Sequence, residues 1–168
     1  MRVGLVYLKP RQVAYVRRTG PYQRSSIEAW TVMFDWLERH GLRRQMTAGY
    51  GLAQDNPVNV SPQDCRYDAC CELPEDFPAA KAAALSVQTL PGGAFARTRH
   101  VGPYSDARDA ITMLRDQWLS NQPNLNLDPA RPMLIIYLDD PKLKDEAFLK
   151  CDVCMPVRVG VHERSAVA

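Results

Sequence analysis

Long apolar runs are missing from this sequence. The N-terminal stretch MRVGLVYLKPRQVAYV reaches Pro10 before such a run develops, so we expect neither a signal peptide nor a membrane span, and we predict a cytoplasmic protein. The sequence also lacks a large excess of positive or of negative charge. The formal net charge of +2 at pH 7 gives the whole chain no bias toward nucleic acid or toward a membrane surface.

Metal-binding and catalytic motifs are also missing. The five cysteines are an odd number, which in a reducing compartment favours free, buried thiols over disulfides. Cys151 and Cys154 form a single Cys-x-x-Cys pair, whereas a structural zinc site needs four ligands gathered in space. No motif around a serine or a cysteine supports a catalytic pair with histidine. We therefore expect no metal and no cofactor.

The sequence does contain a segment that occurs twice. TGPYQRSSIEAWTVMFDWLE begins at Thr19, and VGPYSDARDAITMLRDQWLS begins 82 residues later at Val101. Gly-Pro-Tyr and Trp-Leu match at this spacing, and further along DNP matches DDP and YDAC matches CDVC at a spacing of 84 residues. A repeat of this length predicts an architecture of two related modules.

Each copy contains the same series of predicted elements. A short segment that alternates apolar and basic residues, such as Val13 to Arg18, favours a half-buried strand. An amphipathic helix follows it in both copies, then two more strand-like segments, and one further strand precedes each copy. We therefore predict one α+β domain over residues 1–157, built of modules 1–75 and 85–157, with a C-terminal tail over 158–168.

Two such strand-helix-strand-strand modules are expected to form one antiparallel sheet with pseudo-twofold symmetry. Each helix can cover only one sheet face, so both helices are expected on the same face. The opposite, uncovered face would then form a concave cleft where the modules join, which is a suitable place for a ligand.

Taken in order, the motifs of both copies resemble the GyrI-like small-molecule-binding domain family. That family includes the DNA gyrase inhibitory protein and the effector-binding halves of AraC-type and MerR-type regulators. The resemblance covers residues 1–157 and depends on the ordered set RRTGPY, FDWLERHGL, PGGAFA, RHVGPY, YLDDP and CDVCMPV. It implies a hydrophobic or aromatic small molecule, a drug or toxin among them, held in the cleft between the modules. Since Met1 is followed directly by the first predicted strand, we expect a stand-alone receptor.

One residue departs from the family pattern. The family often has a glutamate two residues before a tyrosine in this strand, and the glutamate meets the positive charge of the ligand. In this sequence Ile135 stands in the place of the glutamate, and the tyrosine is present as Tyr137. A neutral ligand is favoured, because an apolar cleft disfavours an uncompensated cation. Asp139 shares a strand face with both residues and is a candidate for the missing carboxylate, although its equivalence to Asp55 favours a turn role.

Aromatic side chains are the main candidates for the cleft wall. Tyr22 and Tyr104 are duplicated, which also suits core packing, whereas an aromatic without an equivalent in the other copy favours a ligand role. Trp30 belongs to a second apolar stripe of the first helix, which also suits a homodimer contact. The candidate ligand-binding residues are Tyr137, Ile135, Tyr15, Tyr50, Trp30, Tyr22 and Tyr104.

Two other functions stay open. One is a hydrolase of an electrophilic xenobiotic, with Glu72 or Asp139 as the acid in the cleft. The other is a modulator of gyrase or of another protein partner, acting through the basic strand residues that include Arg17 and Arg99. Sequence-specific DNA binding is not expected, because no groove-reading element is present.

Overall fold

The computed structural model describes residues 2–160 and contains three α-helices and nine β-strands in that range. The strands are β1 Val3–Leu8, β2 Arg11–Thr19, β3 Gly49–Ala53, β4 Arg66–Cys71, β5 Ser86–Leu90, β6 Gly93–Val101, β7 Leu125–Leu127, β8 Met133–Tyr137 and β9 Lys150–Val159. The helices are α1 Tyr22–Arg39, α2 Ala79–Ala82 and α3 Ala107–Thr112. The predicted tail, 158–168, lies outside the described residues from position 161 onward.

The second helix of the repeat is shorter than its pattern predicts. α3 ends at Thr112, and a π-helical segment, Met113–Trp118, continues the chain. Leu114 and Leu119 are both buried in one apolar cluster. Five residues apart, they would point about 140° away from each other on an α-helix, whereas the wider π-turn brings them toward one face. Among residues 2–160, no helix combines the length and the apolar content that a membrane crossing requires.

All the strand pairs are antiparallel, in the order β1-β6-β9-β8-β3-β4-β2-β5, with β7 added beside β9. The predicted α+β class with an antiparallel sheet is thus confirmed. The leading strand of each predicted module pairs with the other module, because β1 pairs with β6 and β5 pairs with β2. The central pair of the sheet, β3 and β8, takes one strand from each module.

Two very short connections curl this sheet. β1 and β2 lie near opposite ends of the strand order, yet only Lys9 and Pro10 separate them, and only Pro91 and Gly92 separate β5 from β6. Such a connection spans at most about 11 Å, so the two ends of the sheet have to approach each other. Gly92 packs directly on Pro10, since a Cβ added to Gly92 would lie 2.5 Å from the proline Cδ. The sheet therefore has a concave inner face and a convex outer face.

The inner face is a packed core. Phe95 is fully buried on this face and belongs to one apolar cluster with residues of six other strands, namely Val13, Tyr50, Leu52, Cys70, Leu90, Leu134 and Cys154. The prediction of a ligand cleft on the face opposite to the helices is therefore wrong. The curl brings these side chains together where the cleft was expected.

The helices of the two repeat copies, α1 and α3, both lie on the outer face, as the sequence predicts. Ala69, Gly51, Ile135 and Val153 are paired neighbours on four adjacent strands, so their side chains share one face. α1 packs over β2 and β4 on that face, and α3 packs over β6 and β9. The central strands β3 and β8 are left uncovered between the two helices.

The motifs that occur twice make matching contacts in the two halves of the sheet. The glycine of each Gly-Pro-Tyr donates its N–H to a carbonyl just before β4 or β9, and a strand arginine of each copy forms a two-bond ion pair with an aspartate. These contacts are Gly20 to Cys65 and Gly102 to Leu149, then Arg17 to Asp68 and Arg99 to Asp152. They agree with a duplicated module, which stays an inference from the repeat.

The carboxylate of Asp68 is fully buried and accepts hydrogen bonds from Arg17, Gln54 and Gln88. Burial alone would raise the pKa of Asp68, yet the hydrogen bonds from Arg17 and the two amides outweigh it and hold that pKa below its usual value. Arg17 therefore has a structural role, whereas the sequence suggests it only as a basic residue for contact with a protein partner.

We expect Arg17→Ala to lower the free energy of unfolding by about 2 kcal/mol, measured by urea titration. The loss stays below that of a fully buried cation, because Arg17 is partly exposed and its charge is screened. Arg18→Ala is the matched control, since within residues 2–160 the Arg18 guanidinium donates only to the neighbouring carbonyl of Arg17. We expect a change within about 0.5 kcal/mol. Equal losses in both variants would contradict the structural role.

Candidate functional site

A cavity of about 740 Å³ opens on the outer face between α1 and α3. Its floor is the β3–β8 pair, and its walls come from α1 and from the chain around the start of α3. Six aromatic side chains line it, from Tyr22, Trp30, Phe34, Tyr67, Tyr104 and Tyr137. Its volume lies within the range of about 300–1,000 Å³ that small-molecule sites occupy.

Two glycines of β3 make room for the aromatic floor. Gly49 and Gly51 occupy the outer-face positions of β3, while the side chain of Tyr50 between them points to the inner face. A Cβ on Gly49 would lie 2.5 Å from the Trp30 ring, and a Cβ on Gly51 would overlap the Tyr67 hydroxyl. Glycine at both positions therefore lets these aromatic side chains lie against the backbone of the strand.

A chain of hydrogen bonds connects three of the aromatic residues. Trp30 Nε1 donates to the Tyr67 hydroxyl at 3.0 Å, and the Tyr67 and Tyr137 hydroxyls are 3.1 Å apart. Burial raises the pKa of Tyr137 to about 12 and the pKa of Tyr67 well above its usual value. Both phenols are therefore neutral at physiological pH and keep a hydrogen to donate.

The duplicated tyrosines have a structural contact as well as a place in the cavity. The Tyr104 hydroxyl donates to the Asp139 carbonyl at 2.8 Å, and the Tyr22 hydroxyl donates to the Asp55 carbonyl at 2.6 Å. Burial raises the pKa of both tyrosines above the usual value. The Tyr104 ring packs edge-on against the Tyr137 ring, with centroids 4.8 Å apart. Each Gly-Pro-Tyr motif thus fixes a turn and presents its ring to the cavity.

Ile135 lies on the cavity floor and is buried, so an apolar side chain occupies the position where the family pattern places an acid. The two carboxylates at the mouth are both bound by cations. Lys144 donates to Asp139 at 2.8 Å, and Arg43 donates to both oxygens of Asp140 at 2.8 Å. The Asp139 carboxylate also accepts the Lys150 N–H, as the Asp55 carboxylate accepts the Arg66 N–H, which agrees with the turn role that their equivalence favoured.

The structure brings together five of the seven predicted ligand residues, namely Tyr22, Trp30, Tyr104, Ile135 and Tyr137. Their contact with a ligand stays a prediction. Tyr15 and Tyr50 lie on the inner face, where Arg17 stacks over the Tyr15 ring and Arg11 over the Tyr50 ring. The prediction that they share a cavity wall with Tyr137 is wrong, because the strand parity directs their side chains through the opposite face of the sheet.

The predicted acid Glu72 also lies away from this cavity. Its carboxylate accepts hydrogen bonds from the Arg11 guanidinium and from the Tyr50 hydroxyl. Of the two predicted acids, Glu72 and Asp139, only Asp139 lines the cavity, and its carboxylate is bound by Lys144. A catalytic role for either acid stays a prediction.

Sequence reasoning missed several residues of the cavity, above all Tyr67 and Arg108. Tyr67 has a cysteine, Cys151, as its equivalent at the spacing of 84 residues, so it meets the same criterion of asymmetry that selected Tyr137. The glycines of β3 were a second signal, because isolated glycines in a strand mark close approach of another group. No local pattern marked Arg108.

Comparison with known proteins gives the family and the fold of the chain. A family model described as the GyrI-like small molecule binding domain matches residues 1–158. A DNA gyrase inhibitor of Pantoea sp. (strain At-9b) is 28% identical over 98 residues, which cover 58% of this chain and 62% of that protein. The probable transcriptional regulator YgiV of Escherichia coli O157:H7 is 31% identical over 85 residues, 50% of this chain and 52% of that protein. The chain thus spans less than two thirds of these curated relatives.

Solved structures share the fold. The C-terminal domain of EcmrR superposes with a TM-score of 0.68 at 18% identity, over 94% of this chain and 97% of that one. SAV2435 bound to tetraphenylphosphonium superposes with a TM-score of 0.62 at 12% identity, over 94% of each chain. Since the family model matches residues 1–158 and these neighbours share the fold, the chain belongs to the family of GyrI-like small molecule binding domains.

Proposed function

We propose that this protein binds a hydrophobic, aromatic small molecule in the cavity between α1 and α3, and that it acts by binding. The observation that carries the proposal is the cavity itself, in which six aromatic side chains surround about 740 Å³ above the central strands. An apolar, largely preformed cavity with few polar groups is the usual form of a small-molecule site. The family description and the ligand-bound neighbour SAV2435 support this proposal.

The alternatives receive less support from the site. A hydrolase needs an available acid near the ligand, whereas both carboxylates that line the cavity are bound by Arg43 or Lys144. A basic face for gyrase or another partner would include Arg17 and Arg99, and both are held in ion pairs with buried aspartates. The name of the Pantoea relative keeps a gyrase contact as a separate hypothesis.

A neutral fluorescent probe tests the proposal. We expect phenylnaphthylamine to bind with micromolar affinity and to gain fluorescence as it leaves water. Ser26 lies on α1 and lines the cavity, so Ser26→Trp should fill part of the space and weaken the probe at least tenfold. The measurement is a fluorescence titration at constant probe concentration.

Val32→Trp is the matched control, because Val32 lies on the exposed side of the same helix and outside the cavity. It should leave the probe affinity unchanged. No gain of fluorescence with the wild-type protein, or equal affinity in Ser26→Trp and wild type, would contradict the proposed site.

A further inference from the structure

The charged groups at the cavity mouth are Arg108, Asp139 and Asp140. Hydrogen bonds from Arg43 hold the pKa of Asp140 below its usual value, so this carboxylate stays ionised and paired. Lys144 pairs with Asp139 in the same way. Neither carboxylate is therefore available as the counterion of a cationic ligand.

Arg108 is exposed at the same mouth. Within residues 2–160 no carboxylate forms an ion pair with its guanidinium, although Asp106 and Asp109 flank it in the sequence. The mouth thus carries one positive charge without a protein counterion, which favours an anion over a cation.

The hydrogen-bond chain on the floor has one donor hydrogen too many. Trp30, Tyr67 and Tyr137 contribute three polar hydrogens, and two hydrogen bonds connect them. If Tyr67 donates to Tyr137, the Tyr137 hydrogen is free; if Tyr137 donates, the Tyr67 hydrogen is free. No other acceptor among residues 2–160 takes either hydrogen. An apolar cavity that contains one hydroxyl hydrogen without an acceptor favours a ligand with a hydrogen-bond acceptor.

We propose that the cavity selects aromatic anions, such as aromatic carboxylates, over aromatic cations of the same shape. This inference rests on the proposed binding function and specifies the chemistry of the ligand. The aromatic rings of the ligand pack among Trp30, Tyr104 and Tyr137, the acceptor atom meets the free phenolic hydrogen, and Arg108 attracts the negative charge. Ile135 on the floor provides no charge for a cation.

Three probes with one diphenyl skeleton test the proposal by isothermal titration calorimetry. They are diphenylacetate, diphenylacetamide and diphenylethylammonium, which are negative, neutral and positive. We expect diphenylacetate to bind at least tenfold more tightly than diphenylethylammonium, with the amide between them. Arg108→Gln should reduce that ratio three- to fivefold, a modest change because an exposed charge is screened. Arg158→Gln removes another exposed arginine, one that does not line the cavity, and should leave the ratio unchanged.

Tyr137→Phe and Tyr67→Phe, made separately, test the acceptor contact, because either hydroxyl can hold the free hydrogen. The variant that removes this hydrogen should weaken diphenylacetate and diphenylacetamide several-fold and spare the ammonium probe, which has no acceptor. Equal or tighter binding of the ammonium probe by the wild-type protein would overturn the anion selectivity, as would an unchanged ratio in Arg108→Gln. An unchanged affinity for diphenylacetate in both Tyr137→Phe and Tyr67→Phe would overturn the phenol contact. Failure of all three probes to bind would instead contradict the proposed function itself.

Discussion

Replacing Phe95 with alanine is expected to lower the free energy of unfolding by about 4 kcal/mol. Phe95 is fully buried on the inner face of the curled sheet, and the guanidinium of Arg131 stacks over its ring at 4.8 Å. Arg131 is itself fixed by hydrogen bonds to the carbonyls of Gly92 and Val157, so the surroundings cannot collapse easily into the space left by the ring. The loss combines the transfer of the ring from water with the cavity that remains.

Phe148→Ala provides the control. Phe148 is 63% exposed, so this substitution makes the same chemical change at the surface of the protein. Its effect should stay within about 0.5 kcal/mol in the same urea titration. The comparison tests whether the inner face is a core or an open cleft. Similar small losses in both variants would mean that Phe95 faces solvent and that the inner face is not packed.

Replacing Gly51 with alanine is expected to lower the free energy of unfolding by about 3 kcal/mol, and to abolish probe binding in the cavity. The added Cβ would overlap the Tyr67 hydroxyl and lie 3.0 Å from Cε2 of Tyr137. Tyr67 is buried and has little room to shift, so the hydrogen-bond chain from Trp30 breaks and the aromatic floor is displaced. Urea titration and phenylnaphthylamine fluorescence measure the two effects.

Gly4→Ala is the matched control for this substitution. Gly4 also lies in a strand, β1, but a Cβ at that position meets nothing within 4 Å. Its stability should change by less than about 0.5 kcal/mol, and the probe should bind as in the wild type. A Gly51→Ala protein that matches Gly4→Ala in both measurements would contradict the close packing of the aromatic floor on β3.

Local sequence patterns predicted the helices and strands but not the strand order that curls the sheet. The spacing of Ala29, Val32, Met33 and Trp36 predicts the buried side of α1. Ala29, Met33 and Trp36 are buried, whereas Val32 lies at the edge of that side and is exposed. The exchange of β1 and β5 between the modules depends on pairing between distant segments, which no local period reveals. That exchange curls the sheet, so the concave face is a packed core and the cavity lies on the outer face instead.

The same distinction explains which site residues could be predicted. Strand alternation shows that Ile135 and Tyr137 share a face, and both line the cavity. It cannot tell which face of β2 or β3 matches theirs, because that depends on the register of β3 against β8. Tyr50 pairs with Ile136 rather than with Tyr137, and its side chain therefore points into the inner core.

The central claim is that the ligand lies above β3 and β8, in contact with Ile135. Calorimetric titration of wild type and Ile135→Glu with diphenylacetate and diphenylethylammonium tests it most directly, after circular dichroism has confirmed that the variant is folded. A carboxylate placed on the cavity floor should reverse the order of affinities, so that the wild type prefers the anion and the variant prefers the cation. The same order of affinities in both proteins would place the binding site elsewhere and contradict the claim.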